Sequence, residues 1–415
     1  MQNQPSAPEW RRVAAPVLLA GLGYFVDIFD LLLFSVVRVP SLTDLGVGGQ
    51  ALEVGTMLLN VQLVGMMIGG VAWGMLGDRR GRLSVLFGSI FLYSAASLAN
   101  AFVTSVPQYA VLRFIAGVGL AGELGAGLTL VVELLSPATR GAAAAIVATM
   151  GVSGAVAAAL AGELLSWRSC MVLGGLMGFA LFALRLNVRE SPMFDALRTA
   201  RGERGNILRL FDNRERFLRY LRSILIGVPV WFTVGILITL APEMAGLLGV
   251  EGRVSAGRAV LWFYLLTTCG DLASGMLSQR WRSRRRAAAL FMGLTAAGTV
   301  LYLMGLVRTT TGFYAICGLL GFGTGYWAVT VTMAVEQFGT DLRATVGTSV
   351  PTFIRASAVP MLLVFLALRS AAGVIGAAAI VGAVAFAAAG WALATQPETY
   401  GRSLDYTELV TSGQA

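Results

Sequence analysis

Apolar residues form twelve long runs that fill almost the whole chain, and arginine gathers in every second gap between them. The hydrocarbon core of a bilayer takes about 20 apolar residues per helix. Inside lipid, backbone amides and carbonyls must pair within their own segment, so each run is expected to be a helix. The runs lie near 13–37, 54–76, 83–103, 107–134, 140–164, 168–186, 220–248, 258–280, 286–306, 312–335, 343–367 and 371–394. This pattern predicts an all-α integral membrane protein with 12 transmembrane helices and very short loops.

Composition agrees with the pattern. The chain is 56% hydrophobic and only 13% charged, where a soluble domain carries about 25% charged residues. Its 51 glycines suit close approach of helices in lipid. All 31 basic residues are arginine, with no lysine and no histidine. A side chain that changes charge by taking up a proton near neutral pH is therefore expected to be a carboxylate.

A net charge of +9 would point to nucleic acid in a soluble protein, but here the distribution of arginine accounts for it. Arg11 and Arg12, Arg79 to Arg82, Arg140, the dense stretch from Arg189 to Arg219, Arg280 to Arg286, Arg343 and Arg402 all fall on one side of the membrane. Arg38, Arg168, Arg253, Arg258, Arg308 and Arg369 are assigned to the other. The positive-inside rule then places both termini in the cytoplasm, with no nucleic acid as partner. The first run is too long for a signal-peptide core and is expected to stay in the protein. Cys170, Cys269 and Cys317 lie in apolar segments without metal-ligand spacing and read as buried structural thiols. No metal site and no cofactor is expected. Without a metal motif, nucleophile elbow or phosphate loop, the chain does not read as an enzyme.

Six runs, a polar segment and six more runs suggest a duplication. Gly81-Arg82-Leu83-Ser84-Val85-Leu86-Phe87 resembles Arg285-Arg286-Ala287-Ala288-Ala289-Leu290-Phe291. Glu133 and Arg140 share the spacing of Glu336 and Arg343, and Gly117/Gly119 and Gly321/Gly323 precede those glutamates at similar offsets. The expected organisation is a six-helix bundle over 1–186, a cytoplasmic amphipathic linker over 187–219, a second six-helix bundle over 220–394, and a cytoplasmic tail over 395–415. Two similar bundles rocking about a midplane site are what alternating access requires. The linker is too charged to enter lipid, and short surface helices with arginines near anionic headgroups are expected there.

Several short motifs follow in order. Gly77-Asp78-Arg79-Arg80-Gly81-Arg82 falls between the second and third runs. Arg113-Phe114-Ile115-Ala116-Gly117-Val118-Gly119 leads to Glu133-Leu134-Leu135-Ser136-Pro137-Ala138-Thr139-Arg140-Gly141. Glu190-Ser191-Pro192 follows the sixth run and Pro397-Glu398-Thr399 the twelfth. With these motifs the chain resembles, over essentially its full length, the major facilitator superfamily, in its sugar-porter, organic-ion and aromatic-acid:proton symporter branch. The resemblance implies a monomeric secondary active transporter. The motif residues Gly77, Asp78, Arg82, Glu133, Arg140 and Glu190, with partners Arg284, Arg286, Glu336 and Arg343, would form a cytoplasmic gate. Charges there can pair in one state and separate in the other. Half-solvated pairs contribute about 0–1 kcal/mol each, so several must act together. The alternative is that they only anchor topology and cap helices.

Charges within the runs are costly, roughly 2.5–3.5 kcal/mol each on insertion scales, and each asks for a reason. Asp27 and Asp30 are three apart and share a helix face. With the first helix running outward and the fourth inward, Asp30 and Arg113 both lie about 10 Å below the outer edge. Such a pair could be a permanent ion pair. The resemblance implies instead a proton switch, because related proton-coupled porters use an Asp on helix one and an Arg on helix four. Glu123, in Gly122-Glu123-Leu124-Gly125, is the second candidate proton carrier, or else a buried neutral acid.

Arg355, in the middle of the eleventh run, can grip a carboxylate bidentately, and the resemblance places an arginine there in organic-anion carriers. It could instead balance Asp271. Trp231, Phe232, Tyr326 and Trp327 would line apolar walls of the site, or serve as packing. The seventh run, Gly227-Val228-Pro229-Val230-Trp231-Phe232-Thr233, lacks the Gln/Asn cluster of sugar porters, which argues against sugar. The expectation is a proton-coupled symporter of a small organic anion in a bacterial inner membrane. Efflux or exchange on the same fold is the alternative, and a non-transporting membrane sensor a remote one.

Overall fold

The computed structural model describes residues 7–80, 82–134, 137–186 and 210–401. Among these the chain is helical throughout, apart from turns and one isolated bridge between Glu251 and Thr309. It divides into two compact units, Met1–Glu203 and Arg204–Ala415.

The first unit contains α1 (Ala7–Asp44), α2 (Ala51–Arg80), α3 (Arg82–Asn100), α4 (Val106–Leu134), α5 (Pro137–Leu164) and α6 (Trp167–Arg185). α1 packs on α4, α5 and α6, and α4 also covers α2 and α3. The second unit contains α7 (Arg214–Phe232), a π-helical turn (Thr233–Ile238), α8 (Ala241–Leu247), α9 (Ala256–Arg280), α10 (Arg284–Leu303), α11 (Thr310–Thr324), α12 (Trp327–Glu336), α13 (Thr340–Ala356) and α14 (Ala358–Thr395). There α11 packs on α9 and α10, and α7 on α13 and α14.

Eight described segments are long and apolar enough to cross a bilayer: Val17–Asp44, Gly48–Trp73, Trp167–Arg185, Arg214–Ile238, Ala256–Arg280, Arg284–Leu303, Thr310–Glu336 and Thr345–Thr395. Val85–Asn100, Val106–Gly122 and Met150–Leu164 are shorter apolar helices. The last long segment turns at Gly373, whose φ of +69° and ψ of 171° no helix contains. Only glycine takes that conformation without Cβ strain.

The same glycine device closes both units. A methyl group on Gly117 of α4 would fall on the Gln62 carbonyl oxygen of α2, and one on Gly321 of α11 would fall on the Phe263 carbonyl oxygen of α9. Two residues on, a Cβ at Gly119 would sit 2.6 Å from the Tyr93 amide nitrogen, and one at Gly323 would sit 2.8 Å from that of Thr295. Each pair lets one helix touch two neighbours backbone to backbone, the contact that replaces hydrophobic burial where the solvent is lipid.

Several sequence expectations are revised. The run expected at 312–335 is two helices, parted at Gly325 and Tyr326. The run at 343–367 breaks at Ser357. Pro360 explains that break, because it has no N–H to give the Ala356 carbonyl. The seventh helix starts at Arg214, six residues ahead of the boundary at 220, with the Asn213 side chain capping the Glu215 amide. Pro229 then precedes the switch to π geometry. Arg38, assigned to a loop, is buried in α1 and donates to the Ala51 carbonyl at 2.7 Å. Cys170 and Cys317 are buried as expected, but Cys269 is exposed on α9. Most of the proposed linker at 187–219 lies outside the described residues.

Candidate functional site

Residues 27, 30, 34, 38 and 41 recur at helical spacing, so Asp27, Asp30, Phe34, Arg38 and Ser41 form one buried stripe along α1. Asp30 is only 2% exposed, and its nearest electrostatic neighbours are Arg113 of α4 and Asp27. The Ser97 hydroxyl of α3 lies beside it, and a Cβ on Gly174 of α6 would collide with its Oδ1. Thus α1, α3, α4 and α6 jointly enclose one carboxylate.

The structure gathers Asp27, Asp30 and Arg113 in one cluster but does not join Asp30 and Arg113 as a direct ion pair. Instead the Arg113 guanidinium donates to Gln62 Oε1 of α2 and lies 4.8 Å from the centre of the Phe34 ring. A buried charge held off its counter-charge stays sensitive to anything that changes either one. Gln62 was missed by the sequence reading, which weighed only ionisable residues. The signal was present, since Asn60 and Gln62 are polar side chains inside an otherwise apolar run.

From this cluster a chain of aromatic contacts reaches the helix ends. Phe34 meets Tyr109 edge-on at 5.6 Å, Tyr109 lies 6.1 Å from Trp167, and the Trp167 indole N–H donates to Asp44 at 3.2 Å. Arg168 closes the end with a 2.9 Å ion pair to Asp44 and a hydrogen bond of 2.7 Å to the Ala101 carbonyl. Both members of that pair are about half exposed, so it contributes about 0–1 kcal/mol.

In the second unit the expected substrate residues are placed differently. Asp271 of α9 is half-buried and accepts the Ala328 amide at 3.2 Å, at the start of α12. Ser274, one turn later, donates to the Gly325 carbonyl, so both residues serve the backbone break between α11 and α12. Arg355 is buried in the last turn of α13, directly before the Ser357 break rather than in mid-helix. Tyr326 donates to the Ile226 carbonyl at 3.2 Å, tying that break to α7. Phe232 packs edge-on against Phe386 and over Gly382, and Trp231 is buried beside it. These three aromatics are engaged in packing, while Trp327 stays half-exposed.

Of the expected gate residues, Arg284 and Glu336 are brought together. Arg284 forms a 3.3 Å ion pair with Glu336, donates to Ser278 at 2.8 Å and lies 5.4 Å from the Tyr400 ring centre. Thr399 donates to the other Glu336 oxygen at 2.7 Å. Glu398 accepts from the Ser283 hydroxyl and from the amides of Arg284, Thr399 and Tyr400, at 2.9, 3.0 and 3.0 Å. Partial burial pushes this carboxyl up, but those donors outweigh it and hold Glu398 below the usual glutamate range. The Pro397-Glu398-Thr399 motif is therefore a latch that fastens the chain after α14 to the start of α10. Arg286 is exposed on the first turn of α10. Glu190 lies outside the described residues. Gly77, Asp78, Arg82, Glu123, Glu133, Arg140 and Arg343 are on helical backbone, with their side chains outside the description.

Three comparisons bear on this architecture. The family model described as Major Facilitator Superfamily matches residues 20–359. The chain is 28% identical over 303 residues to the 3-(3-hydroxy-phenyl)propionate transporter of Escherichia coli, covering 71% of this chain and 72% of that one. It is 26% identical over 365 residues to a niacin transporter of Acinetobacter baylyi, covering 79% and 80%. Among solved structures, a D-xylose-proton symporter superposes with a TM-score of 0.71 at 17% identity, covering 94% of this chain and all of that one. At that identity the likeness concerns the fold.

Proposed function

The chain belongs to the major facilitator superfamily of membrane transporters, and from that premise we propose that it is a proton-coupled symporter of a small organic anion. In this reading it crosses a bacterial inner membrane twelve times as a monomer, with both termini in the cytoplasm, and exposes its substrate alternately to the two faces. The buried cluster around Asp30 carries the reading. A carboxylate enclosed by four helices, with a guanidinium near it but not paired to it, has little reason to be retained unless its charge is used.

Asp30 takes up the proton in this scheme. Arg113, oriented by Gln62 and Phe34, supplies a fixed positive charge that cannot itself be titrated away, because a guanidinium stays protonated. Neutralising Asp30 removes the partner of that charge and changes which arrangement of the surrounding helices is favoured, the differential a coupled transporter needs. Asp27 and Glu123 are secondary proton sites. Arg355 is the proposed grip for the substrate carboxylate, helped by Trp327 and Asp271, and its position before the Ser357 break allows the guanidinium to shift with the backbone. Arg284, Arg286, Glu336 and the motif residues between the second and third and the fourth and fifth helices are the proposed gate.

The relatives named for niacin and for 3-(3-hydroxy-phenyl)propionate support an aromatic carboxylate as the first substrate to try. The test is uptake of those two acids by protein reconstituted in vesicles with an imposed pH gradient. A gradient with the acid side outside should drive accumulation, and a protonophore should abolish it. Asp30→Asn should lose uphill uptake and keep exchange, while Arg355→Ala should lose binding of both acids. Undiminished pH-driven accumulation by Asp30→Asn would sink the assignment. Accumulation of the opposite sign would identify an exporter.

A further inference from the structure

Beside α10 runs a groove of about 870 Å³, walled on its other side by α14. Its mouth carries Trp281, Arg282, Arg285 and Arg286. Its floor is apolar, formed by Ala289, Met292 and Ala296 from α10 and by Phe386 and Leu393 from α14. From Arg286 to Ala296 the groove follows one face of α10 for ten residues, about 15 Å at the rise of a helix. That is close to half of a hydrocarbon core about 30 Å thick, the depth of one leaflet.

Charge at the mouth is unbalanced. Glu398 is the acidic residue of the lining, and its oxygens are already taken by Ser283 and by backbone amides. Arg285 donates to the Ala394 carbonyl at 2.9 Å. Arg282 and Arg286 are exposed, and among the described residues neither forms an ion pair. Two guanidiniums therefore project over an apolar channel, next to an indole of the kind that settles at the membrane interface. A soluble anion would have no use for the floor, and an uncharged hydrocarbon none for the mouth.

We propose that this groove is a binding site for an anionic phospholipid of the arginine-rich leaflet, with the phosphate on Arg282 and Arg286 and one acyl chain along the floor. Basic recesses between membrane helices are suited to such headgroups. The proposal rests on membrane insertion and does not depend on proton symport. It also gives the Glu398 latch a neighbour, since the lipid would seat against the same first turn of α10 that the latch holds.

The structure supplies its own blocking variants. A Cβ at Gly293 or at Gly390 meets nothing within 4 Å, so leucine at either position extends into the groove without striking protein. Both sites are helical, where leucine is a better helix former than glycine. The full-length protein, delipidated and purified, would be offered equal phosphatidylglycerol and phosphatidylcholine and examined by native mass spectrometry. Wild type should retain phosphatidylglycerol in preference. Arg282→Gln with Arg286→Gln should weaken that retention roughly twenty-five-fold, at about fivefold for each arginine. Gly390→Leu should lose retention at unchanged melting temperature, and Gly293→Leu repeats the test should the first variant fold poorly. Equal retention of the two lipids, or phosphatidylglycerol held by the filled groove as by wild type, would overturn the proposal. So would displacement of the lipid by millimolar glycerol phosphate, which would indicate a site for the free anion.

Discussion

The two units share a seam and differ in what they put into it. Gly117 presses on the backbone of Gln62, and Gly321 presses on the backbone of Phe263. Four residues before each glycine, on the same helix face, stand Arg113 and Cys317, both fully buried. The first unit thus fills the seam with a guanidinium held by an amide, and the second fills the same place with a buried thiol. Packing has been kept while the chemistry has been replaced. The second unit has breaks instead, with a π turn after Pro229, a parting at Gly325 and Tyr326, and another at Ser357. Asp30 and Arg113 sit where the helices are continuous, whereas Asp271 and Arg355 sit beside breaks in the backbone. Two units of similar packing can in this way hold a buried ion cluster in one and adjustable backbone in the other.

The sharpest way to break the comparison is to remove both seam residues in turn. Arg113→Ala should cost about 1.5–3 kcal/mol, because a buried hydrogen bond from a charged group to Gln62 is lost, and should abolish coupled transport. Cys317→Ala should cost about 1 kcal/mol or less, as a small apolar truncation. Thermal unfolding in one detergent, with flux on the same preparations, measures both. Equal losses would mean that the arginine is merely filler. Next in size, Gly117→Ala and Gly321→Ala should each lose about 1–3 kcal/mol by overpacking. A large difference between their melting temperatures would show that the seams are not equivalent.

The smallest effect concerns the latch of the second unit. Because its folded form holds Glu398 below the ordinary glutamate value of 4.5, the stabilisation is present above that pH and is lost as pH falls through the lower folded value. Wild type should therefore lose melting temperature on acidification below about 4.5, and Glu398→Gln should show a flatter profile from a lower start.

Much of this was legible beforehand. Hydropathy alone located nearly every helix, since lipid allows a long apolar run no other structure. The repeat Gly117/Gly119 and Gly321/Gly323 pointed to equivalent helices, and the close contacts supply the reason. Glu336 and Arg284 could be matched because both lie at helix ends near a charged turn. Gln62 was not legible, because an amide carries no formal charge and only the fold brings it to Arg113. The roles of Phe232 and Tyr326 were also hidden, because an aromatic reads the same whether it lines a cavity or plugs a backbone gap. Pro360 announced a break that apolar averaging smoothed over.

The π turn at Thr233–Ile238 has a consequence for register. Its i→i+5 bonding accommodates one more residue than an α-helix of equal length would. Every side chain after it is therefore turned by about 100° from the direction the start of α7 would dictate. Deleting a single residue from this stretch would restore α geometry and leave Ala241–Leu247 on its present face, whereas straightening the turn without a deletion would swing it to another. The inserted residue thus works as slack wound into the chain, and shifting it along the helix would rotate the residues it passes without breaking a covalent bond or unfolding a turn.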